Sequence, residues 1–182
     1  MAENPKKRIL SRPAAFAAAA AILAAAALLL YLFLPRFRQT PENARTCVLS
    51  ISCATILDRM EDCAPEKRDL VPEDGWILAP AEVPFAEGDT AFDVLKDECR
   101  RRGIHMEFSL TPAYGTAYVE GIGNIYEMDA GSLSGWTYTV NGEFFNYSAS
   151  EYPLADGDEV AWLYTCDLGA DVGNNWQESN SQ

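Results

Sequence analysis

Every second residue is apolar in two short runs near the C-terminal end of the chain, which contain Trp136, Tyr138 and Val140 and then Val160, Trp162 and Tyr164. This period of two is typical of strands that bury one face. Asn141 and Gly142 directly follow the first run and favour the two positive φ angles of a type I′ hairpin turn. An Asp-Gly-Asp turn at residues 156–158 precedes the second run. The region therefore predicts a small antiparallel sheet.

One segment has the start and stop signals of an α-helix. Thr90 and Asp93 have the spacing of a capping box. The apolar residues that follow share one face, namely Phe92, Val94, Leu95 and Cys99. Gly103 comes after three arginines at residues 100–102, where glycine commonly ends a helix and cations suit its negative end. The pattern predicts a helix between Thr90 and Gly103. The three arginines are interpreted as solvated residues that stabilise its C-terminal end.

Further strands are predicted on both sides of this helix. Residues 47–53 alternate in character, residues 76–78 and 83–85 are short candidates separated by prolines, and residues 104–108 alternate after the helix. Residues 54–72 are rich in charge and are predicted to be an insertion on the surface. One helix packed across a mixed sheet is an α+β arrangement.

An apolar run near the start of the chain predicts a membrane anchor. Residues 14–34 contain no charged side chain, and as a helix they span about 31 Å, enough for a bilayer core of about 30 Å. Four basic residues precede the run and two follow it, which favours a cytoplasmic amino terminus. A cleaved signal peptide is the alternative, but its apolar core is usually about 7–15 residues, and here Pro-Arg-Phe-Arg follows in place of a cleavage site. The sequence predicts a retained single-pass anchor in the cell membrane with an extracellular C-terminal domain.

Composition then divides the chain into five segments. From Thr40 onward there are 26 acidic and 8 basic residues, a balance that is unfavourable for binding nucleic acid or anionic lipid. The predicted segments are a cytoplasmic N-terminus at residues 1–13, a transmembrane signal anchor at 14–34, a linker at 35–46, an extracellular domain at 47–173 and a disordered tail at 174–182.

Five cysteines are present, at positions 47, 53, 63, 99 and 166. Disulfides form outside the cytoplasm, and an odd count leaves at least one thiol unpaired. If the first and last strands lie side by side and parallel, Cys53 and Cys166 are level at one edge of the sheet, so we predict a disulfide between them. The pairing of Cys47, Cys63 and Cys99 is left open. The chain has no Cys-x-x-Cys motif and one histidine, so a structural zinc site is not expected.

Evidence for catalysis is thin. His105 is the single histidine, and no P-loop, dinucleotide, zinc-protease or nucleophile-elbow motif is present. Residues 167–174 carry alternate oxygen donors that could wrap a calcium ion, but they lack the terminal glutamate of an EF-hand, and an ordinary turn is the simpler interpretation. We therefore expect a protein that is not an enzyme, with no cofactor and no metal site.

Aromatic residues are the stronger functional signal. Thirteen follow from Phe108 onward, more than a small sheet needs for packing. Four of these lie after a tight turn or in a glycine-rich loop, and they form the predicted ligand-binding surface: Tyr114, Phe144, Phe145 and Tyr147. Exposed rings above a rigid sheet suit a flat apolar ligand or a protein partner. The alternative is that these loops fold back to cover the core.

A combined motif runs through the C-terminal half, reading GWxYxVNG at residues 135–142 and YxLxDGDxVxWxY at residues 152–164, with FDVL at residues 92–95 before it. With these motifs the chain resembles a family of uncharacterised, membrane-anchored bacterial surface domains related to the C-terminal domain of transcobalamin and intrinsic factor. The resemblance covers residues 47–173. It implies a β-grasp-like fold in which the first and last strands are adjacent and parallel, which supports the Cys53–Cys166 disulfide.

The resemblance also implies a function. In the vertebrate carriers this domain closes over a corrinoid held against a separate helical-barrel domain. The chain is therefore expected to be a non-enzymatic binding module that captures a corrinoid-type or other small ligand, such as cobalamin, for a membrane transporter or a helical-barrel partner. A structural or protein-interaction domain of the cell envelope, without a small ligand, is the alternative.

Overall fold

The computed structural model describes residues 45–113 and 115–174. These residues belong to one compact unit, Glu42–Gln182. The predicted cytoplasmic N-terminus, membrane anchor and most of the linker lie outside the described residues, as does the predicted tail from residue 175 onward. Within the described ranges, no helix is both long enough and apolar enough to cross a membrane.

The described chain forms two sheets and one α-helix. In chain order the elements are β1 (Arg45–Ser52), β2 (Trp76–Phe85), α1 (Ala91–Arg102), β3 (Met106–Leu110), β4 (Ala117–Ile122), β5 (Ile125–Tyr126), β6 (Gly135–Val140), β7 (Glu143–Phe144) and β8 (Glu159–Thr165). Short 3-10 helices occupy Ala54–Arg59, Pro65–Leu70, Ala149–Glu151 and Ala170–Val172. The large sheet has the order β2-β1-β8-β6-β7, and the small sheet has the order β3-β4-β5. The predicted α+β class is confirmed, whereas the separate three-stranded sheet was not predicted.

The first and last strands are neighbours in the centre of the large sheet. β1 and β8 run parallel, with Leu49 opposite Val160 and Ile51 opposite Trp162. β2 and β6 then pair antiparallel on the outer sides of this central pair. The parallel contact that the family resemblance implied is therefore present, and it brings both ends of the domain into one sheet.

β2 is one continuous strand, although two short ones were predicted. Pro80 lies where Ala79 and Pro80 together face the single residue Ser50, and Pro84 pairs with Thr46. β2 is at the edge of the sheet, so a proline that lacks an N–H does not interrupt a ladder on its outer side. The bulge and the edge position explain how this strand accommodates both prolines.

α1 begins and ends at the predicted residues. The Thr90 hydroxyl accepts the backbone N–H of Asp93, and the Asp93 carboxylate accepts the backbone N–H of Thr90, which completes the capping box. Gly103 ends the helix with a φ of 70°. Ile104 still donates its N–H to the carbonyl of Cys99, so β3 begins at Met106 and not at the predicted residue 104.

Glu98 is the buried carboxylate of α1. Its side chain is 5% exposed and accepts hydrogen bonds from the guanidinium groups of Arg101 and Arg102. Burial alone raises the pKa of Glu98, but the hydrogen bonds and charges of the two arginines outweigh it, and the net pKa is lowered. The arginines that the sequence assigned to the helix end thus also neutralise a buried charge.

We expect the Glu98→Gln variant to be about 1 kcal/mol less stable than the parent chain at pH 7, because a neutral amide forms weaker hydrogen bonds to the arginines. A lowered carboxylate pKa contributes stability that is present above the unfolded pKa and is lost as pH falls through the folded pKa. The difference between the two chains should therefore shrink below about pH 4. Urea unfolding of both chains from pH 3 to pH 7 measures it, and a difference independent of pH would contradict the role of the charge.

The apolar residues form two clusters on one face of the large sheet. The main cluster joins α1 to the central strands and includes Leu49, Ile51, Leu95 and Trp162. A second cluster lies at the end of β1 and β8, and it consists of Cys53, Ile56, Cys63, Val71, Ile125, Ala130, Tyr164 and Cys166. Residues 54–72, predicted as a surface insertion, contribute three of its buried side chains. Most of the segment is exposed, as predicted, and the three buried side chains cover the end of the large sheet.

Candidate ligand-binding site

The structure divides the four residues predicted to bind a ligand. Tyr114 lies outside the described residues. Phe144 pairs with Thr139 across the β6–β7 hairpin, so its side chain points to the face opposite the main cluster. Phe145 stacks on Tyr138, which belongs to the main cluster. The two adjacent phenylalanines therefore point to opposite faces of the sheet and do not form one surface.

Phe145 is instead the centre of an aromatic cluster, which we define as Trp162, Tyr138, Phe145, Tyr152 and Tyr147. The ring centroids are 5.5 Å apart between Trp162 and Tyr138, 6.0 Å between Tyr138 and Phe145, and 5.4 Å between Phe145 and Tyr147. Tyr152 lies 4.8 Å from Phe145. Exposure rises along this series, from 3% at Trp162 to 42% at Tyr147. The aromatic cluster thus runs from the core to the surface.

The loop that carries Tyr147 is fixed by hydrogen bonds. The Tyr138 hydroxyl donates to the carbonyl of Tyr147 over 3.1 Å. Ser148 donates its hydroxyl to the carbonyl of Ala117 over 2.6 Å, and the Ala117 N–H donates to the Ser150 hydroxyl over 3.1 Å. The loop is therefore tied both to the large sheet and to the first residue of β4, which holds Tyr147 in place at the surface.

The β3–β4 turn begins beside this loop. Thr111 and Thr116 close it with a backbone hydrogen bond of 2.9 Å and a contact of 2.6 Å between their hydroxyls. Ala117, which the serine hydroxyls contact, follows Thr116 directly. The β3–β4 turn and the loop of Tyr147 thus lie next to each other.

The phenols of Tyr138 and Tyr152 stay protonated at neutral pH, because the pKa of each is raised. Burial raises the pKa of Tyr138, with further increases from the neighbouring Tyr147 and Tyr152. Burial also raises the pKa of Tyr152. Neutral aromatic rings suit contact with an apolar surface.

The predicted Cys53–Cys166 disulfide is not formed in the structure, where all five cysteines are buried free thiols. The register of the parallel strands explains the error, since Ser52 is opposite Leu163. Continued by two or three residues, this register places Cys166 level with Thr55 and not with Cys53. The Cys166 thiol accordingly lies 3.8 Å from the Thr55 hydroxyl. The side-by-side arrangement was predicted correctly, but the alignment was wrong by two residues.

Other polar residues singled out in the sequence have structural contacts. His105 precedes β3, and its Nε2 lies 2.8 Å from the Tyr126 hydroxyl. Asp171 accepts hydrogen bonds from the Thr165 hydroxyl at 2.5 Å and the Cys166 N–H at 2.7 Å, which closes the loop after β8. Within residues 45–113 and 115–174, no three His, Cys, Asp or Glu side chains are arranged to hold a metal ion.

Sequence reasoning missed the two residues beneath the predicted surface, Tyr138 and Tyr152. Tyr138 was interpreted as sheet packing, which it is, but it also supports Phe145 and anchors the Tyr147 loop. Tyr152 stands before a proline, and its carbonyl accepts the N–H of Ala91 at the start of α1. Its position beside Pro153 and the DGD turn was the available signal.

Comparison with known proteins finds a family model that matches part of the chain. Residues 88–165 match the family model described as Domain of unknown function (DUF4430). This segment runs from the turn before α1 through β8, and over it the resemblance to a family of uncharacterised domains is confirmed. No curated protein sequence matches the chain.

Solved structures that are similar to the chain include the following two. Haptocorrin in complex with Cbi has 11% identity and a TM-score of 0.49, and the match covers 70% of this chain and 26% of the haptocorrin chain. A candidate metal-binding protein from Ruminococcus gnavus has 16% identity and a TM-score of 0.40, with 66% and 96% of the two chains covered. The match thus spans about a quarter of the length of haptocorrin.

Proposed function

We propose that this chain, whose residues 88–165 match the DUF4430 family model, is a non-enzymatic module that binds a flat, largely apolar small ligand against the aromatic cluster. The observation that carries the proposal is Tyr147, which is 42% exposed on a loop fixed at both sides and rests on the ring of Phe145. A corrinoid-type ligand is the specific case that the transcobalamin resemblance suggests. The large sheet, in which β1 and β8 form a β-grasp-like central parallel pair, is the rigid support for the aromatic cluster.

The fixed loop matters for affinity. A binding surface that is already ordered does not lose side-chain and loop freedom when the ligand arrives, and each immobilised side chain otherwise costs about 0.5–1.5 kcal/mol. The Tyr138 hydroxyl donates to the carbonyl of Tyr147 within this loop. The Ser148 hydroxyl donates to the carbonyl of Ala117, and the Ser150 hydroxyl accepts the N–H of Ala117, so the loop is ordered without a ligand. Aromatic rings then offer a large contact area with few rotatable bonds.

The charge of the domain further restricts the ligand. From Thr40 onward the chain has 26 acidic residues against 8 basic ones. Such a surface repels phosphate-rich or otherwise strongly anionic ligands and tolerates neutral or cationic ones. A neutral or cationic ring system is therefore the ligand class that we propose.

We further propose that the module acts at the cell surface, held there by residues 14–34, and delivers its ligand to a membrane transporter or to a helical-barrel partner. A single small domain encloses little of a large ring ligand, and a partner that covers the second face of the ligand would bury the remainder. The anchor lies outside the described residues, so protease accessibility of the domain on intact cells tests the location separately.

The binding test is a calorimetric titration of the purified full chain with cobalamin, cobinamide and haem. We expect micromolar binding of at least one corrinoid, and the Tyr147→Ala variant should bind at least tenfold more weakly because it removes the exposed ring. The matched control is Phe144→Ala, which deletes an aromatic ring on the other face and should change affinity less than twofold. Equal losses in both variants, with both still folded, would contradict the site.

A protein-interaction domain without a small ligand is the second candidate function. One observation favours it, because the small sheet has an open edge at β3 whose residues from Glu107 to Leu110 are all exposed. The absence of heat with all three ring compounds, together with an unchanged fold, would favour this candidate.

A further inference from the structure

β3 is an exposed strand at the edge of the small sheet. It pairs with β4 on one side, and the sheet order β3-β4-β5 leaves its other side open among the described residues. Phe108 is 39% exposed and Leu110 is 60% exposed. An edge of this kind presents a row of backbone donors and acceptors to which another extended chain can bind.

The residues that face the open side follow from the pairing with β4. The Thr111 N–H bonds to the carbonyl of Thr116, and the Gly123 N–H bonds to the carbonyl of His105. Backbone groups of an antiparallel strand point alternately to the two sides. Since residues 105 and 111 point towards β4, the backbone groups of Met106, Phe108 and Leu110 point to the open side.

Other edges in the described residues are protected. β2 contains Pro80 and Pro84 and is bulged where Pro80 lies. β7 and β5 each contain two residues. Prolines, bulges and short length are the usual means of preventing unwanted pairing at a sheet edge. β3 has five residues and contains neither proline nor lysine. The register shift between Glu107 and Phe108 adds its extra residue, Glu120, to β4 and not to β3, so β3 itself lacks these protections.

The two faces of β3 differ in chemistry. One face carries Met106, Phe108 and Leu110, and the Phe108 ring packs edge-on against Phe92 of α1 with centroids 4.9 Å apart. The other face carries Glu107 and Ser109. A strand that pairs with β3 would therefore place every second side chain beside exposed apolar groups.

The face of Glu107 is acidic and aromatic. Glu107 pairs with Gly121, which in turn pairs with Tyr126, so Glu107 and Tyr126 share this face. Tyr118 is opposite Ser109, is 49% exposed and donates its hydroxyl to Glu127. A cation already occupies one end of the face, since Lys67 Nζ lies 4.6 Å from the centre of the Tyr126 ring. Carboxylates beside tyrosine rings suit further Lys or Arg side chains.

We propose that the open edge of β3 binds an extended segment of a partner protein in which apolar and basic residues alternate. The backbone of the partner pairs with Met106, Phe108 and Leu110, its apolar side chains contact Phe108 and Leu110, and its Lys or Arg side chains lie over Glu107, Tyr118 and Glu127. This surface is distinct from the aromatic cluster and does not depend on a small ligand.

Charge favours a basic partner segment over a second copy of the chain at this edge. Two copies paired antiparallel about Phe108 would place Glu107 and Glu127 of both copies on one continuous face. The net charge of −13 on each chain adds to that repulsion. A basic segment removes the repulsion, so the observations favour it.

The test is amide hydrogen exchange of the isotope-labelled full chain, followed by NMR with and without a probe peptide. The probe is a capped heptapeptide of alternating Lys and Val, and its control has the same composition with four Lys followed by three Val. We expect the alternating peptide to slow exchange of the Phe108 and Leu110 amides at least tenfold. The Thr111 amide, already bonded to Thr116, should not change.

Two substitutions check the mechanism. Leu110→Pro removes an outward N–H and should abolish the protection at Phe108. Leu110→Ala keeps the N–H and loses only a side-chain contact, so the protection should be reduced but still present. The Glu107→Gln variant should bind the alternating peptide about two- to threefold more weakly at low salt, because the attraction between the Glu107 carboxylate and a lysine of the peptide is lost. The proposal would be overturned if both peptides protected these amides equally or if neither did. It would also be overturned if protection appeared without peptide and grew with protein concentration, a result that would assign the edge to a second copy of the chain.

Discussion

At pH 8 the thiols of Cys47, Cys53 and Cys99 are expected to react with an alkylating reagent about a thousandfold more slowly in the folded chain than in the unfolded chain. The thiolate is the reactive form, and burial raises the pKa of each of the three thiols to about 12. The charges of Asp158 and Glu98 add to this effect at Cys47. In an unfolded chain a cysteine has a pKa near 8.5, so roughly a quarter of it is thiolate at pH 8.

Mass spectrometry of the labelled peptides over time measures these rates. The same sample, unfolded in denaturant without a reducing agent, is the control and should incorporate five labels. Fast labelling of the folded chain at any of the three positions would contradict the burial. Incorporation of three labels after unfolding would show that one pair of cysteines had been joined, contrary to the free thiols in the structure.

The Gly75→Ala variant is expected to lose about 3–5 kcal/mol of stability, from backbone strain and overpacking together. Gly75 has a φ of 73°, which an alanine adopts at a cost. An added Cβ would also lie 2.6 Å from the Cα of Ala54, a backbone atom that cannot move without shifting the end of β1. The Gly75 carbonyl accepts the Cys53 N–H at 2.8 Å, so displacement of this residue would also disturb that hydrogen bond.

Gly88→Ala is the matched control for this variant. Gly88 has a φ of 87°, but no atom lies within 4 Å of the position of an added Cβ. The control should therefore lose only the strain, about 1–2 kcal/mol. Urea unfolding of the three chains, followed by tryptophan fluorescence, gives both values. Equal losses would show that the contact with Ala54 carries no cost and would contradict the close packing of this turn.

Local features of the fold were predictable because neighbouring residues determine them. The capping box of Thr90 and Asp93 and the stop at Gly103 depend on contacts within a few residues, and both are present. The Asn141-Gly142 turn has φ values of 53° and 79°, as the hairpin between β6 and β7 requires. The prediction that the first and last strands are adjacent came from a family resemblance. The alternation of apolar and polar residues identifies strands but does not show which strands pair.

The candidate site was predictable only in part. Tyr147 was selected because it follows a tight turn, and it is exposed. Phe144 and Phe145 were selected for the same reason, yet the hairpin register directs them to opposite faces. The sequence by itself shows two adjacent aromatic residues. The alternation of side chains across the sheet, which begins from the pairing of Thr139 with Phe144, decides where each one points.

The amino-acid sequence by itself determined the α+β class, the bounds of α1, the hairpin turns and the acidic character of the chain, because each depends on residues close in sequence or on composition. The tertiary structure decided which thiol is level with which residue, which phenylalanine joins the aromatic cluster and which strand edge stays open. These depend on strand register and on sheet order, where a shift of one or two residues changes every contact without changing the local pattern.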